Sequence, residues 1–428
     1  MKKILRFILK ILAKLTLYRY RPVIIGITGS VGKTSVKQAV ADLISTSGRT
    51  VWHSQKNLNN EIGLPLTVLL AKDSAYRNLG LWLVIFTKSL GRLIKKDLYY
   101  PEFLVLEYGV DHPGDMDYLL TIVRPQVAVL TAVSASHLEF MGSLAKILEE
   151  KSKLLKALPL DGTAIINGED EKVLSLKTVL KSRVLTYGQA AGFDIYTESA
   201  AVTMKPSLGM SFKLALQGNN LPITVLGTVG SPVILTALAA AAVGQALGFT
   251  NLQILEGLEK LTLPAGRLRL LPGIKETILL DDTYNSSPRA AAAALQALVR
   301  LPLPKVGGRR WAVLGDMLEL GSQSEKLHSE VGQTVANLAI DFLLTVGNES
   351  RVIGHGALAK GMDQDRIWHF ANVQEAGLFI QDRLNQGDVV LIKGSQGVRC
   401  EKITKELMAE PLKAGELLVR QYGPWLNS

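Results

Sequence analysis

Apolar runs bounded by turn residues punctuate the chain. In its first half they fall at Val23–Thr28, Phe103–Glu107, Val127–Val133 and Thr163–Asn167, and each reads as a strand. The stretches between them mostly carry helical spacing, and the Ala-rich segment from Ala237 to Leu247 is predicted as a buried helix. The pattern breaks near Leu263-Pro264-Ala265-Gly266, which reads as a linker. Beyond it, strands are predicted at Thr277–Asp282, Arg310–Leu314, Phe342–Val346 and Val389–Lys393, again alternating with helices. The alternation predicts an α/β fold, with a central domain on a mostly parallel sheet followed by a C-terminal Rossmann-like domain. The expected division is 1–21, 22–263 with an insertion at about 73–101, and 264–428.

The first segment differs from the rest. Met1 to Tyr20 sets Lys3, Arg6, Lys10 and Lys14 at three- and four-residue spacing, against Ile4, Leu5, Ile8, Leu9, Ile11, Leu12 and Leu15. Lys10 and Lys14 interrupt the apolar run, which excludes a bilayer-spanning helix and a signal peptide. A second segment, Tyr76 to Tyr100, carries Trp82 and Phe86 beside Lys88, Arg92, Lys95 and Lys96. Both suit the surface of an anionic membrane, with a helix docked on the protein's own body as the plain alternative.

One turn carries the chemistry. Ile24-Ile25-Gly26-Ile27-Thr28 leads into Gly29-Ser30-Val31-Gly32-Lys33-Thr34-Ser35, an apolar run, a Gly-rich turn and then the start of a helix. Such a turn lets backbone N–H groups approach phosphates, while the lysine adds a charge and the threonine hydroxyl can sit on Mg²⁺. Ile27 stands where the general P-loop pattern has its first glycine, so the motif is the shorter Thr-Gly-Ser-x-Gly-Lys-Thr form. ATP binding is the expectation.

Composition narrows the rest. The 428 residues, 47% hydrophobic with 38 glycines, suit two or three α/β domains. A single cysteine, Cys400, excludes an internal disulfide and a cysteine-based zinc site, and fits a reducing cytoplasm. A formal charge of +10 favours anionic partners without choosing among them. Glu107 and His137 follow predicted strands, where open α/β sheets place ligands, and a carboxylate and an imidazole there could join a Mg²⁺ site. Asp281 and Asp282 close a strand of the second half, and Lys151 by itself reads as a solvated lysine.

Taken together these residues resemble one family. Over roughly residues 23–407 the chain is similar to the Mur ligases, ATP-dependent amide-forming enzymes of peptidoglycan precursor synthesis. The first half matches through the Gly26–Ser35 turn, Asn57-Leu-Asn-Asn-Glu-Ile-Gly-Leu-Pro65, Glu107-Tyr-Gly109, His112-Pro-Gly114, Ser136-His-Leu-Glu139 and Gly142-Ser-Leu144. The second half matches through Gly266-Arg-Leu268, Asp281-Asp-Thr-Tyr-Asn-Ser-Ser-Pro288, Gly315-Asp-Met-Leu-Glu-Leu-Gly321 and Lys393-Gly-Ser395. The last three resemble the member that adds D-alanyl-D-alanine to UDP-N-acetylmuramoyl-tripeptide.

The resemblance implies roles. Gly29, Ser30, Gly32, Lys33, Thr34 and Ser35 would hold the ATP phosphates, and Asp282 and Asn285 the rest of the nucleotide. Thr34 and Glu107 would ligate one Mg²⁺ and His137 a second, with Lys151 carbamylated by CO₂ into an anionic ligand. Arg267 would reach the phosphates from the linker, while Asn60, Lys393 and Ser395 would meet the muramoyl-peptide acceptor and the D-alanyl-D-alanine. No nucleic acid is expected, and the enzyme is placed in the cytoplasm or at the inner face of the membrane.

Three departures accompany the match. The family's separate UDP-binding domain is not seen before the strand at Val23, and the basic helix stands in its place. Pro232 and Thr236 occupy positions where a histidine and an asparagine are expected near adenine. Gln396 replaces an arginine after Lys393-Gly-Ser395. A different or lipid-linked acceptor, and a non-catalytic ATP-binding scaffold, stay open as alternatives.

Overall fold

The computed structural model describes residues 2–54, 58–71, 79–136 and 138–426. Two sheets organise them. The first contains β1 (Val23–Thr28), β2 (Val51–His53), β3 (Phe103–Glu107), β4 (Val127–Leu130), β5 (Thr163–Asn167), β6 (Arg183–Gly188), β7 (Ile195–Thr203), β8 (Gly209–Leu216) and β9 (Asn219–Leu226). Their order is β2-β3-β1-β4-β5-β6-β7-β8-β9, parallel as far as β7 and antiparallel through β8 and β9. The second sheet contains β10 (Arg269–Pro272), β11 (Ile278–Asp282), β12 (Arg310–Gly315), β13 (Phe342–Val346), β14 (Ile367–Phe370) and β15 (Val389–Lys393). Its order is β10-β11-β15-β12-β13-β14, with β10 antiparallel to an otherwise parallel set.

Burial on both faces explains the continuous apolar runs. Ile25 and Ile27 face one core, while Ile24 and Leu104 face another across the same sheet. In the second sheet Ala312 and Leu314 join the first of those cores, and Val313 turns to a third. One core therefore runs from the first sheet into the second. Its centre is the helix Ser231–Ala246, whose alanines Ala237 and Ala239–Ala242 are all buried. A helix apolar all round fits only where both neighbours cover it.

Two expectations change. The strand foreseen to Val133 stops at Leu130, because the next residues leave the sheet to support the Gly-rich turn. The Thr131 amide donates to the Thr28 carbonyl (3.0 Å) and the Ser30 amide to the Ala132 carbonyl (2.7 Å). The antiparallel hairpins β7 to β9 give no long apolar run, since residues Glu198–Ala201 of β7 are exposed. The basic N-terminal segment is a helix, Lys2–Tyr20, docked on the body through Leu9, Leu12 and Ala13. The linker residues Leu263–Gly266 join the two sheets where β1, β3, β11 and β15 all end.

Candidate active site

β1 delivers the Gly-rich turn and the helix Lys33–Thr46 leaves it. The turn needs its glycines. Gly29 has φ 146°, and a Cβ there would lie 2.0 Å from Thr131 Oγ1. Gly32, with φ 86°, sits at the N-terminus of the helix in a left-handed conformation. Ser30 Oγ accepts the Ser134 amide (3.1 Å), fixing the turn to the loop after β4.

The side chains converge from there. Lys33 Nζ donates to the Gly29 carbonyl (2.8 Å), folded back over its own turn. Burial pushes its ammonium below the usual lysine range, although Glu107 acts against the shift. Thr34 Oγ1 donates to Glu107 Oε2 (3.1 Å), because β3 pairs with β1 so that Glu107 lies beside Ile27 at the strand end. Asn59 Nδ2 donates to the other Glu107 oxygen (3.0 Å), and Lys37 Nζ lies 3.5 Å from the carboxylate. Burial alone would raise the Glu107 pKa, but Lys37, Lys33, Asn59 and Arg267 together hold it below its ordinary value. Glu107 is thus a buried carboxylate kept ionised.

Lys151 sits on the helix Leu144–Lys156 and is buried. Burial, aided by the charge of Lys33, lowers its pKa to about 7, against the opposing pull of Asp111, Glu150 and Asp115. An amine with that pKa is largely neutral just above neutral pH and is therefore nucleophilic. The solvated lysine of the bare sequence reading is corrected here. His137 lies outside the described residues.

The second sheet supplies the opposite wall. β11 and β15 pair so that Asp282 and Lys393 stand side by side. Lys393 Nζ donates to Asp282 Oδ2 (2.6 Å) and to the Asn285 carbonyl (2.9 Å). Asp282 Oδ1 accepts the Leu268 amide (3.2 Å), and Asp281 accepts the Gly266 amide (3.0 Å), so the linker is held by both carboxylates. Burial raises both, Asp281 to about 6. Arg267 lies between them, its guanidinium 4.1 Å from the Tyr284 ring. Its Nε is buried with no hydrogen-bond partner among the described residues.

These walls enclose a cleft of about 480 Å³. Ser30, Gly32, Lys33 and Thr34 line it with Glu107 and Asn60 on one side, and Arg267, Asn285 and Ser395 on the other. A narrower, more apolar slot of about 130 Å³ opens beside the turn. Ser35, Asp282 and Lys393 line it together with Asn167, Pro232 and Thr236. Lys393 therefore faces the slot rather than the cleft. The Asn60 side chain accepts the Ile62 and Gly63 amides (3.2 and 2.9 Å), capping the helix Gly63–Val68 at the cleft's edge. Ser395 Oγ accepts the Leu318 amide (3.0 Å).

Three residues escaped the sequence reading. Lys37 had a signal, since it stands four residues beyond Lys33 and shares its helix face. Asp111, four residues past Glu107, lines the cleft and acts electrostatically on Lys33 and Lys151. Arg289, on the helix Pro288–Arg300, bonds Asp170 across from the first sheet. No local pattern marks it, because its partner is set by how the two halves pack.

The donors suit Mg²⁺. The Thr34 hydroxyl and the Glu107 carboxylate are hard oxygens at a helix N-terminus beside a phosphate-shaped turn. Among the described residues no three His, Cys, Asp or Glu side chains gather into a metal cage. Such a site fits a cation that keeps phosphate and water as its remaining ligands. Lys151 as an ammonium would repel that cation; as a carbamate it would add a third oxygen-bearing side chain beside Thr34 and Glu107.

Comparison with known proteins agrees with this geometry. The Mur ligase middle domain matches residues 27–79 and 88–244, and the Mur ligase glutamate ligase domain matches 266–396. The UDP-N-acetylmuramoyl-tripeptide–D-alanyl-D-alanine ligase of Escherichia coli is 32% identical, over 90% of this chain and 76% of its own length. Its Bacillus subtilis counterpart is 30% identical, over 94% of this chain and 79% of its own. Among solved structures, MurF from Thermotoga maritima in complex with ADP superposes with TM-score 0.77 at 25% identity, over 94% of this chain and 83% of that one. MurF from Acinetobacter baumannii gives 0.78 at 25%, over 93% and 79%.

Proposed function

The chain belongs to the Mur ligase family, and on that premise we propose that its cleft joins D-alanyl-D-alanine to UDP-N-acetylmuramoyl-tripeptide while ATP is converted to ADP and phosphate. It is an ATP-dependent ligase of peptidoglycan precursor synthesis. A nucleotide-linked acceptor and ATP place the reaction in the cytoplasm. One observation carries the reading: the phosphate turn with its Thr34–Glu107 pair and the Arg267 guanidinium from the other half face a single cleft. The functional division follows at the linker, with 22–263 binding ATP and 264–428 presenting the amine.

The chemistry needs this layout. A carboxylate is a poor electrophile for an amine. One of its oxygens therefore attacks the γ-phosphorus of ATP, ADP leaves, and an acyl phosphate forms. The amine then attacks the acyl carbon, loses a proton, and expels phosphate from the tetrahedral intermediate. Three anions must meet, so cations do most of the work. Lys33 neutralises the phosphates from the turn, and Arg267 does so from the opposite wall, its buried Nε otherwise unmatched among the described residues. Thr34 and Glu107 would hold Mg²⁺, with His137 and carbamylated Lys151 completing the metal sites. The metal supplies charge neutralisation at the phosphates. Neutral Lys151 gives the carbamate by attack of its nitrogen on CO₂ with loss of one proton. Asp282 and Lys393, bound to each other, shape the slot, and we assign that slot to adenine. Thr236 Oγ1 is turned to the Pro232 carbonyl (2.7 Å), leaving the slot wall apolar where the family offers polar side chains. Asn60 and Ser395 border the acceptor and amine ends.

Phosphate release tests the reading, measured with ATP, Mg²⁺, UDP-N-acetylmuramoyl-tripeptide and D-alanyl-D-alanine, and with each left out in turn. Release that needs all four is expected. Release indifferent to the amine or the acceptor would overturn it.

A further inference from the structure

Two helices that do not line the cleft each carry a second apolar face that is exposed among the described residues. On the N-terminal helix Lys2–Tyr20, Leu9, Leu12 and Ala13 are buried against the body, whereas Ile4, Phe7, Ile8, Ile11, Leu15 and Tyr18 stay exposed. At 3.6 residues per turn those six make one stripe along the outer side, bordered by the exposed Lys3 and Lys14, while Lys10 is turned to the body and donates to Thr121 Oγ1 (2.7 Å). The helix Leu79–Ile94 repeats the arrangement. Trp82, Ile85, Phe86 and Leu93 join the inner cluster, while Leu83, Leu90 and Ile94 form an outer row bordered by Lys88 and Lys95. Phe7 is 64% exposed, Leu83 66% and Ile94 83%, values a soluble fold has no reason to keep in register on two adjacent helices.

The two rows belong to one surface. Both helices pack into the same inner cluster, and their C-terminal ends are tied. The Tyr20 hydroxyl donates to the Arg92 carbonyl (2.9 Å) and accepts the Asp97 amide (2.8 Å), and Arg19 reaches the Ile94 carbonyl (3.4 Å). At that end Lys88, Lys95, Lys96 and Tyr99 border a shallow hollow of about 490 Å³. Its one carboxylate, Asp97, is bound to Arg92 at 3.1 Å. Neither helix contains an acidic residue.

Charge decides the occupant. A second copy of this chain would set lysines against lysines across the apolar stripes. An anionic bilayer matches both features at once: apolar side chains enter the acyl boundary while flanking lysines reach lipid phosphates on their flexible stems. Neither helix is long and apolar enough to cross a membrane, so the contact lies in the plane of the surface. We propose that the outer faces of these two helices dock the protein on an anionic lipid bilayer, with the Lys88–Tyr99 hollow receiving phosphate headgroups.

The test is flotation of the full-length chain with vesicles of phosphatidylglycerol and phosphatidylcholine in equal parts, against vesicles of phosphatidylcholine alone. The wild type is expected to float with the anionic vesicles only, less so at high salt. Phe7→Glu with Leu83→Glu, and separately Lys95→Glu with Lys96→Glu, are each expected to lower the bound fraction at least about tenfold. Phosphate release with soluble substrates should be unchanged in both variants, which separates this proposal from the ligase reading and reports that the variants fold. A wild type that stays at the bottom overturns the proposal, as do variants that float equally well. So does equal binding to neutral vesicles, or a wild type that dimerises through this face without floating.

Discussion

Lys37 stands one helical turn beyond Lys33 and spends its charge on Glu107 rather than on a phosphate. Both side chains are almost wholly buried, so the pair cannot be traded for solvent when one member is removed. Lys37→Met should destabilise the fold by about 3 kcal/mol in urea unfolding, and adding Glu107→Gln should recover part of that loss. Equal, additive losses would show that the two do not interact. Lys151 makes a second prediction at this scale. Its pKa is depressed to about 7, so the neutral amine prevails above that pH and is lost below it. Since only the neutral amine forms a carbamate, activity should fall as pH drops through about 7, and added bicarbonate at fixed low pH should partly restore it. Lys151→Ala should be inactive and partly rescued by a small carboxylate such as formate; a folded variant that no carboxylate rescues contradicts the role. The resemblance implied the carbamate on Lys151, but the burial that keeps its amine neutral, and the Lys37 pairing, were not legible beforehand. A lysine in Glu149-Glu150-Lys151 looks solvated until the fold buries it.

Elements buried on both faces were the easiest to read. β3, β5, β13 and β15 have the bounds expected of them, because each is buried along nearly its whole length inside a parallel sheet and is apolar but for a polar residue or two, mostly at the strand ends. β7 and β9 were hidden for the converse reason, since much of each is exposed and carries polar pairs such as Asn220 with Glu198 (2.9 Å), which break up an apolar run. β4 was overdrawn because Ala132 and Val133 are buried beneath the Gly-rich turn, and apolar burial imitates a strand. The turn itself leaves no room for a side chain at Gly29. Gly29→Ala places a methyl group into Thr131 at a φ that L residues rarely adopt, so the turn must shift. The variant should retain its circular dichroism spectrum and lose ATP binding by about a hundredfold or more in calorimetry. Unchanged affinity would mean that the turn does not set the phosphate site.

At the scale of the whole molecule, the site exists only where two sheets meet. Thr34 and Glu107 come from one, Arg267, Asn285 and Ser395 from the linker and the other, and Arg289 bonds Asp170 between them. Motif order in the sequence identified most of the participants, yet it could not say that Lys393 would be taken by Asp282 or that Arg289 would bridge the halves. Those facts depend on register between β11 and β15 and on packing between distant segments. On the proposed reading activation and amide formation share one cavity, because an acyl phosphate made at the first sheet would have to meet an amine held by the second before water does. Oxygen-18 tests this directly. With both oxygens of the acceptor's reacting carboxylate labelled, turnover by the full-length enzyme should deliver one labelled oxygen to each phosphate released, together with the amide product, both read by mass spectrometry. Phosphate without label beside a labelled acceptor would contradict an acyl phosphate, and with it the role given to this cleft.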